Sequence, residues 1–182
     1  MRRIPFRQLH TLRDLARRTR LPRDTLQRWG NIGVLIAEGD SAHGGRGVHR
    51  RFQASEMAIA ILLRPFVKVD MPTGQLLRLS GVLRTALGLA PGSVRGIHYE
   101  EGAPEIRRAL LRGAYGGGDS FLIVSFTETA VRIEPVTSEA DEPVLWDLSS
   151  FFRTADMEQA EAAIVINLAT LRGVLGDPPF EQ

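Results

Sequence analysis

The stretch that decides the fold of this chain is Thr11-Leu-Arg-Asp-Leu-Ala-Arg-Arg-Thr-Arg-Leu-Pro-Arg-Asp-Thr-Leu-Gln-Arg-Trp-Gly-Asn-Ile-Gly-Val-Leu35. Thr11 is a typical N-cap residue, and Asp14 three positions later gives a weaker version of the capping box. Leu21-Pro22 ends the first helix, because the residue before a proline is pushed out of the α conformation. The stretch therefore predicts a helix-turn-helix, whose second helix fits the major groove of DNA.

The apolar spacing gives each of these two helices a buried side and an outer side. Inward positions are expected at Leu12, Leu15 and Ala16 in the first helix and at Leu26, Trp29 and Ile32 in the second. Gly33 is placed as a helix C-cap. The side chains that remain outside on the second helix are those of Arg23, Asp24, Gln27 and Arg28.

The following residues predict a wing and two more helices. We expect a first wing strand over Val34–Ile36, a glycine-rich loop over 39–47, a return strand over Val48–Phe52, a helix from about Ser55 that Pro65 ends or bends, and a helix from about Gly74 to Leu87. Together with the helix pair, these elements predict a mostly helical, winged helix-turn-helix domain over residues 1–88.

The second half of the chain predicts a smaller α+β domain over 103–182, after a linker rich in glycine and proline over 89–102. The expected elements are a helix over Pro104–Ala114, a hairpin of Phe121–Thr127 with Ala130–Val136, and a third strand over Val144–Leu148. Residues 162–175 fit either a strand or a helix, since Ile164-Val-Ile166 is strand-like while leucines follow at helical spacing. The fold class is therefore α+β, with a short antiparallel sheet in the second domain.

Composition narrows the class of protein. The chain has 182 residues, 43% of them hydrophobic and 24% charged, which is ordinary for a soluble globular protein. It has no cysteine, which excludes disulfides, thiolate metal sites and cysteine catalysis and fits a reducing cytoplasm. No apolar run approaches the roughly 20 residues that span a bilayer, and residues 1–7 lack the apolar region of a secretory signal. We therefore expect a cytoplasmic protein with no membrane partner.

The charge is divided unevenly along the chain. Residues 1–88 contain 16 Lys and Arg against 6 Asp and Glu, a net charge of +10, whereas residues 89–182 contain 7 against 15, a net charge of −8. A basic half beside an acidic half is typical of a polyanion-binding module joined to a domain with another task.

Four segments of the basic half follow one another in a specific order. They are Leu15-Ala16, then Thr25-Leu26 with Trp29 and Ile32-Gly33-Val34-Leu35, then His49-Arg50-Arg51-Phe52 with Glu56-Met57, and last the turn Asp70-Met71-Pro72. This set resembles the DNA-binding domain of the MerR family of transcription regulators over about residues 10–87. The resemblance implies a second helix in the major groove and wing arginines on the phosphates.

Side-chain chemistry agrees with that division of work. Arginine suits guanine edges and glutamine suits adenine edges, while arginines beside a glycine-rich loop can approach a phosphate backbone. One of the two adjacent arginines of the return strand can instead face solvent only. The candidate DNA-binding residues are Arg20, Arg23, Asp24, Gln27, Arg28, Arg46, His49, Arg50 and Arg51.

The chain departs from the family at three places. Gln27-Arg28 stands where the family has Arg-Tyr, so the phosphate contact of that tyrosine is not carried over. Gly30 replaces a glutamate and is expected to shorten the helix. No heptad repeat follows residue 87, so the family's long dimerisation helix is absent from the pattern.

Other residue patterns give no catalytic or metal site. The four histidines are scattered without the spacing of zinc ligands, and the glycine-rich Gly113–Gly118 lacks the lysine of a phosphate-binding loop. The acidic residues near Glu139 are accompanied by no nucleophile or base. We expect a protein that is not an enzyme and that binds neither a cofactor nor a metal ion.

These patterns together predict a bacterial transcription regulator that binds double-stranded DNA sequence-specifically, as a homodimer. The acidic domain is expected to serve dimerisation or to bind a small molecule or a protein partner. One alternative is a phage or mobile-element protein of the excisionase or small packaging-subunit type. Another is an adaptor whose acidic domain binds a protein and whose basic head is secondary.

Overall fold

The computed structural model describes residues 9–39, 49–87, 103–116, 120–126, 131–137 and 162–175. Within these residues the chain is an α+β protein with five α-helices and two short antiparallel sheets. It divides into two compact units: the described residues up to 87 and 173–175 belong to the first, and those from 103 to 172 belong to the second. The predicted linker over 89–102 lies entirely outside the described residues. No helix in the described ranges is long and apolar enough to cross a membrane.

The first unit contains four helices and a two-stranded sheet. In chain order its elements are β1 (Leu9–Thr11), α1 (Leu12–Thr19), α2 (Arg23–Ile32), β2 (Arg51–Gln53), α3 (Ala54–Val67) and α4 (Thr73–Ala86). The predicted helix pair is confirmed, and its turn consists of residues 20–22. The two later helices are confirmed as well, although α3 continues for two residues beyond Pro65.

Local signals explain where α1 and α2 begin and end. The Thr11 hydroxyl accepts the Asp14 amide at 3.2 Å, while the Asp14 carboxylate accepts the Thr11 amide at 2.9 Å, so both halves of the capping box form. Arg20 ends α1 in the left-handed region, at φ 58°, and Gly33 ends α2 at φ 84°. Gly30 lies inside α2, so the expectation that it shortens the helix is wrong.

The predicted first wing strand over Val34–Ile36 is wrong. Val34 and Leu35 are both fully buried, whereas neighbouring residues of a half-buried strand would point to opposite faces. The Ile36 amide donates to the Glu56 carboxylate at 2.8 Å instead of to a strand partner. Of the predicted return strand Val48–Phe52, Val48 lies outside the described residues, His49 and Arg50 are not in a strand, and Arg51 and Phe52 belong to β2. The strand β2 pairs antiparallel with β1, which was not predicted from the sequence.

The core of the first unit lies around α3. This helix is buried on nearly every side and packs against α1 and α4. Leu15, Leu26 and Trp29 are buried as predicted, and Leu12 and Ala16 are partly buried. Ile32 is 37% exposed, against expectation, because Val34 and Leu35 beyond the Gly33 turn occupy the core instead.

In its described residues, the second unit is a three-stranded antiparallel sheet covered by one α-helix. Its elements are α5 (Ala103–Tyr115), β3 (Ser120–Phe126), β4 (Val131–Thr137), β5 (Ala162–Asn167) and a short 3-10 helix (Leu168–Leu171), with strand order β4-β3-β5. The predicted helix and hairpin are confirmed. The ambiguous residues form a strand and then the 3-10 helix, while the strand predicted over Val144–Leu148 lies outside the described residues.

Candidate nucleic-acid interface

The outer face of α2 carries polar and charged side chains that are free of the core. Leu26 and Trp29 fix the helix from its inner side, with 0% and 3% of their surfaces exposed. The four residues predicted to face outward are all exposed, namely Arg23, Asp24, Gln27 and Arg28. The sequence therefore correctly assigned the inner and outer sides of this helix over its first two turns.

Arg50 lies beside the last turn of α2. Its Nη1 donates a hydrogen bond to Asn31 Oδ1 at 2.7 Å. Gly30 leaves room for this approach, because a Cβ at position 30 would stand 3.1 Å from Arg50 Nη1 and 3.7 Å from the Phe52 ring. The arginine preceding β2 is thus joined to the predicted recognition helix.

An open cleft of about 640 Å³ lies between α1, α2 and the residues leading into β2. Its walls combine three arginines, one histidine, two amides and a small apolar floor. The residues that line it are Thr11, Leu12, Arg13, Arg23, Gln27, Asn31, His49, Arg50 and Phe52. None of these lining residues is acidic, so the cleft is a concentration of positive charge.

Of the two carboxylates that directly follow a cleft arginine in sequence, Asp14 and Asp24, the first is engaged within α1 and the second is exposed. Hydrogen bonds from the Thr11 hydroxyl, at 2.7 Å, and from the Thr11 amide lower the pKa of Asp14. The ionised Asp14 pairs with Arg17 at 3.1 Å. In the described part of the chain, Arg13 and Arg23 form no ion pair. Burial lowers the pKa of His10, which keeps this neighbouring imidazole neutral at pH 7.

The remaining predicted residues are distributed around this cleft. His49 is exposed and lines it, and Arg20 is exposed at the turn between α1 and α2. Arg51 is exposed in β2, where its carbonyl accepts the Glu38 amide at 2.7 Å. Arg46 lies outside the described residues.

Three polar residues of the cleft, Thr11, Arg13 and Asn31, were not predicted from the sequence to be part of the interface. Arg13 lies on the first turn of α1, outside the predicted recognition helix, and Asn31 lies on the last turn of α2. The β1–β2 pairing, Thr11 opposite Arg51, brings the start of α1 beside the residues preceding β2. Since β1 was not predicted, nothing in the sequence pattern placed Arg13 near Arg50.

A buried ion pair holds the backbone segment that directly follows α2. The guanidinium of Arg84 and the carboxylate of Glu56 have side chains that are 3% and 6% exposed. Arg84 also donates to the Val34 carbonyl at 2.6 Å and to the Ser80 hydroxyl at 3.1 Å. Helices α3 and α4 therefore hold the backbone that follows α2.

No protein-family model matches this chain, and no curated protein sequence matches it. Among the described residues, no group of three His, Asp or Glu side chains is placed to hold a metal ion. The inference about function therefore depends on the chemistry of the cleft and of the outer face of α2.

Proposed function

We propose that this protein binds double-stranded DNA sequence-specifically and acts as a bacterial transcription regulator. The observation that carries the proposal is the exposed polar face of α2 beside a cleft lined by three arginines and no acidic residue. In this proposal α2 enters the major groove, and the residues around Arg50 and Arg51 contact the phosphate backbone. A basic face of this kind supplies the electrostatic part of DNA binding.

The side chains of α2 are suited to reading bases. Arg23 and Arg28 can donate two hydrogen bonds to guanine, and Gln27 can pair with adenine in the major groove. All three are exposed on one helix whose opposite side is buried, so the helix can insert without losing its packing. Phosphate contacts from a neighbouring element would then fix its register on the duplex.

We also propose that the first unit is a MerR-like DNA-binding head and that the protein acts as a homodimer. Residues 10–87 would form a MerR-like winged helix-turn-helix head, with the wing reduced to β2 and the residues before it. One short recognition helix makes few base contacts, and a homodimer on a palindromic site would double them. The second unit would supply dimerisation or bind a small molecule or protein. A cytoplasmic location follows from this function.

Selection from a pool of random duplexes tests sequence-specific binding directly. The full chain should enrich one motif, and Gln27→Ala or Arg28→Ala should relax the preference at individual base pairs, each worth about 1–3 kcal/mol. Arg78→Ala, which removes an exposed arginine of α4, serves as the matched control and should keep the motif. Absence of duplex binding, or binding without any enriched motif, would overturn the proposal.

A further inference from the structure

We propose that Arg13, Arg23 and Arg50 together form a seat for a single backbone phosphate of the bound DNA. This inference rests on the proposed function and adds a residue of α1, Arg13, to the interface. It also assigns to Asn31 and Gly30 the task of positioning Arg50. The three arginines belong to three different parts of the first unit and line the same cleft.

The cleft carries a concentration of positive charge. Three arginines line its volume of about 640 Å³, and the residues that line it include no carboxylate. Like charges around one cleft repel one another, so their arrangement favours an anionic ligand that all of them can contact. Guanidinium groups match the oxygens of a phosphate well, because their N–H groups can bind two of those oxygens in parallel.

The placement of Arg50 reduces the cost of binding an anion. A long side chain at the surface ordinarily samples many rotamers, and ordering it on binding costs conformational entropy. Here the Asn31 side chain accepts a 2.7 Å hydrogen bond from Arg50 Nη1, and Gly30 provides the space beside it. Among the described residues, the other N–H groups of this guanidinium make no hydrogen bond, so they can face a ligand in the cleft. Asn31 and Gly30 are positioning residues in this proposal, since they act through Arg50.

The cleft lies along the side of α2. Arg23 and Gln27 belong both to the outer face of this helix and to the wall of the cleft. In this proposal Arg23 binds the phosphate, and Gln27 and Arg28 are left to contact the bases. A helix lying in the major groove has a phosphate strand along its side. A phosphate seated in the cleft would therefore fix the depth and register of α2. The MerR family has a tyrosine that contacts a phosphate where this chain has Arg28. In this proposal the phosphate seat takes over that contact.

The test measures duplex affinity by fluorescence anisotropy between about 50 and 200 mM salt. The proteins are the full chain, Arg13→Ala, Arg50→Ala, the double variant, and Arg78→Ala as a control with the same loss of charge. Because one phosphate is shared, both single variants bind more weakly than the control variant. The salt slope is the slope of log affinity against log salt concentration. Its magnitude in the double variant is then lower than in the unsubstituted chain by no more than about 0.9 in total. Thermal unfolding checks that each variant is folded.

Three results would overturn the shared seat. Arg13→Ala could match the Arg78→Ala control, which would remove α1 from the interface. The double variant could lose about 1.8 from the slope, which would indicate two separate phosphates. In a separate experiment, inorganic phosphate is titrated into the unbound protein and followed by NMR. If phosphate binding saturates and requires Arg13, while duplex affinity does not depend on Arg13, the cleft would be assigned to a small phosphorylated ligand. Loss of duplex binding by the unsubstituted chain is a different outcome, and it would defeat the proposed function instead.

Discussion

Arg84 of α4 and Glu56 of α3 form a buried, bidentate ion pair. Arg84 Nε donates to Glu56 Oε1 at 2.7 Å, and Arg84 Nη2 donates to Glu56 Oε2 at the same distance. The same two side chains bind the backbone of Val34 and Ile36, directly after α2. The pair therefore links the two core helices to the segment that leaves the proposed recognition helix.

Removing one partner of this pair should destabilise the first unit strongly. Glu56→Gln leaves the Arg84 guanidinium buried without its counter-charge, at an expected cost of about 3–5 kcal/mol in the free energy of unfolding. Urea-induced unfolding measures this change. Replacing both partners, as Glu56→Leu with Arg84→Met, should recover part of the loss because no charge then remains buried. A cost below about 1 kcal/mol for Glu56→Gln would contradict this account of the pair.

The capping box of α1 should contribute measurably to stability. Thr11→Ala removes the hydroxyl that accepts the Asp14 amide and should lower the free energy of unfolding by about 1 kcal/mol. Thr11→Ser keeps a hydroxyl at the same place and is the matched control, with a much smaller loss expected. Equal losses in the two variants would show that the methyl group, and not the cap, is responsible.

Gly113 has no space for a side chain without a shift of its neighbours, so even alanine should be destabilising there. A Cβ at this position of α5 would stand 2.3 Å from Leu168 Cβ and 2.8 Å from the Leu168 backbone, so Gly113→Ala should cost about 1–3 kcal/mol through overpacking. The same substitution at Gly74, on α4, meets nothing within 4 Å and should be neutral or stabilising by up to about 1 kcal/mol. Chemical denaturation of both variants gives the comparison. A stabilised Gly113→Ala would show that the helix and the 3-10 helix can move apart.

Gly30→Ala should separate stability from DNA binding. Alanine stabilises a helix by up to about 1 kcal/mol relative to glycine. Its methyl group, however, would stand 3.1 Å from Arg50 Nη1 and would displace the guanidinium. We expect unchanged or higher thermal stability together with weaker duplex binding, measured by melting and by anisotropy. In an Arg50→Ala background the same change should have no further effect on affinity. If Gly30→Ala still lowers duplex affinity in that background, Gly30 does not act on DNA binding through Arg50.

The helices were predictable because their signals are local. Thr11, Pro22 and Gly33 mark helix boundaries through side-chain and backbone preferences that operate over a few residues. The first wing strand was predicted wrongly because its conformation depends on tertiary contacts. Glu56, 20 residues away, binds the Ile36 amide and prevents a strand there.

The candidate site was predictable only in part for the same reason. Helical periodicity gave the outer face of α2, including Arg23 and Gln27. The cleft depends on the pairing of β1 with β2, and three-residue strands leave too short a pattern to be detected. Arg13 and Asn31 therefore entered the site only through the three-dimensional arrangement.

The central claim, that the basic face of α2 binds DNA, is tested most directly by two double variants of equal charge. Arg23→Ala with Arg28→Ala removes two arginines of α2, and Arg64→Ala with Arg78→Ala removes two from α3 and α4. The affinity of the full chain for a duplex is measured for each between about 50 and 200 mM salt. We predict a large loss of affinity and a shallower salt slope for the α2 variant only. Equal losses in both variants would contradict the claim, since net charge and not the α2 face would then govern binding.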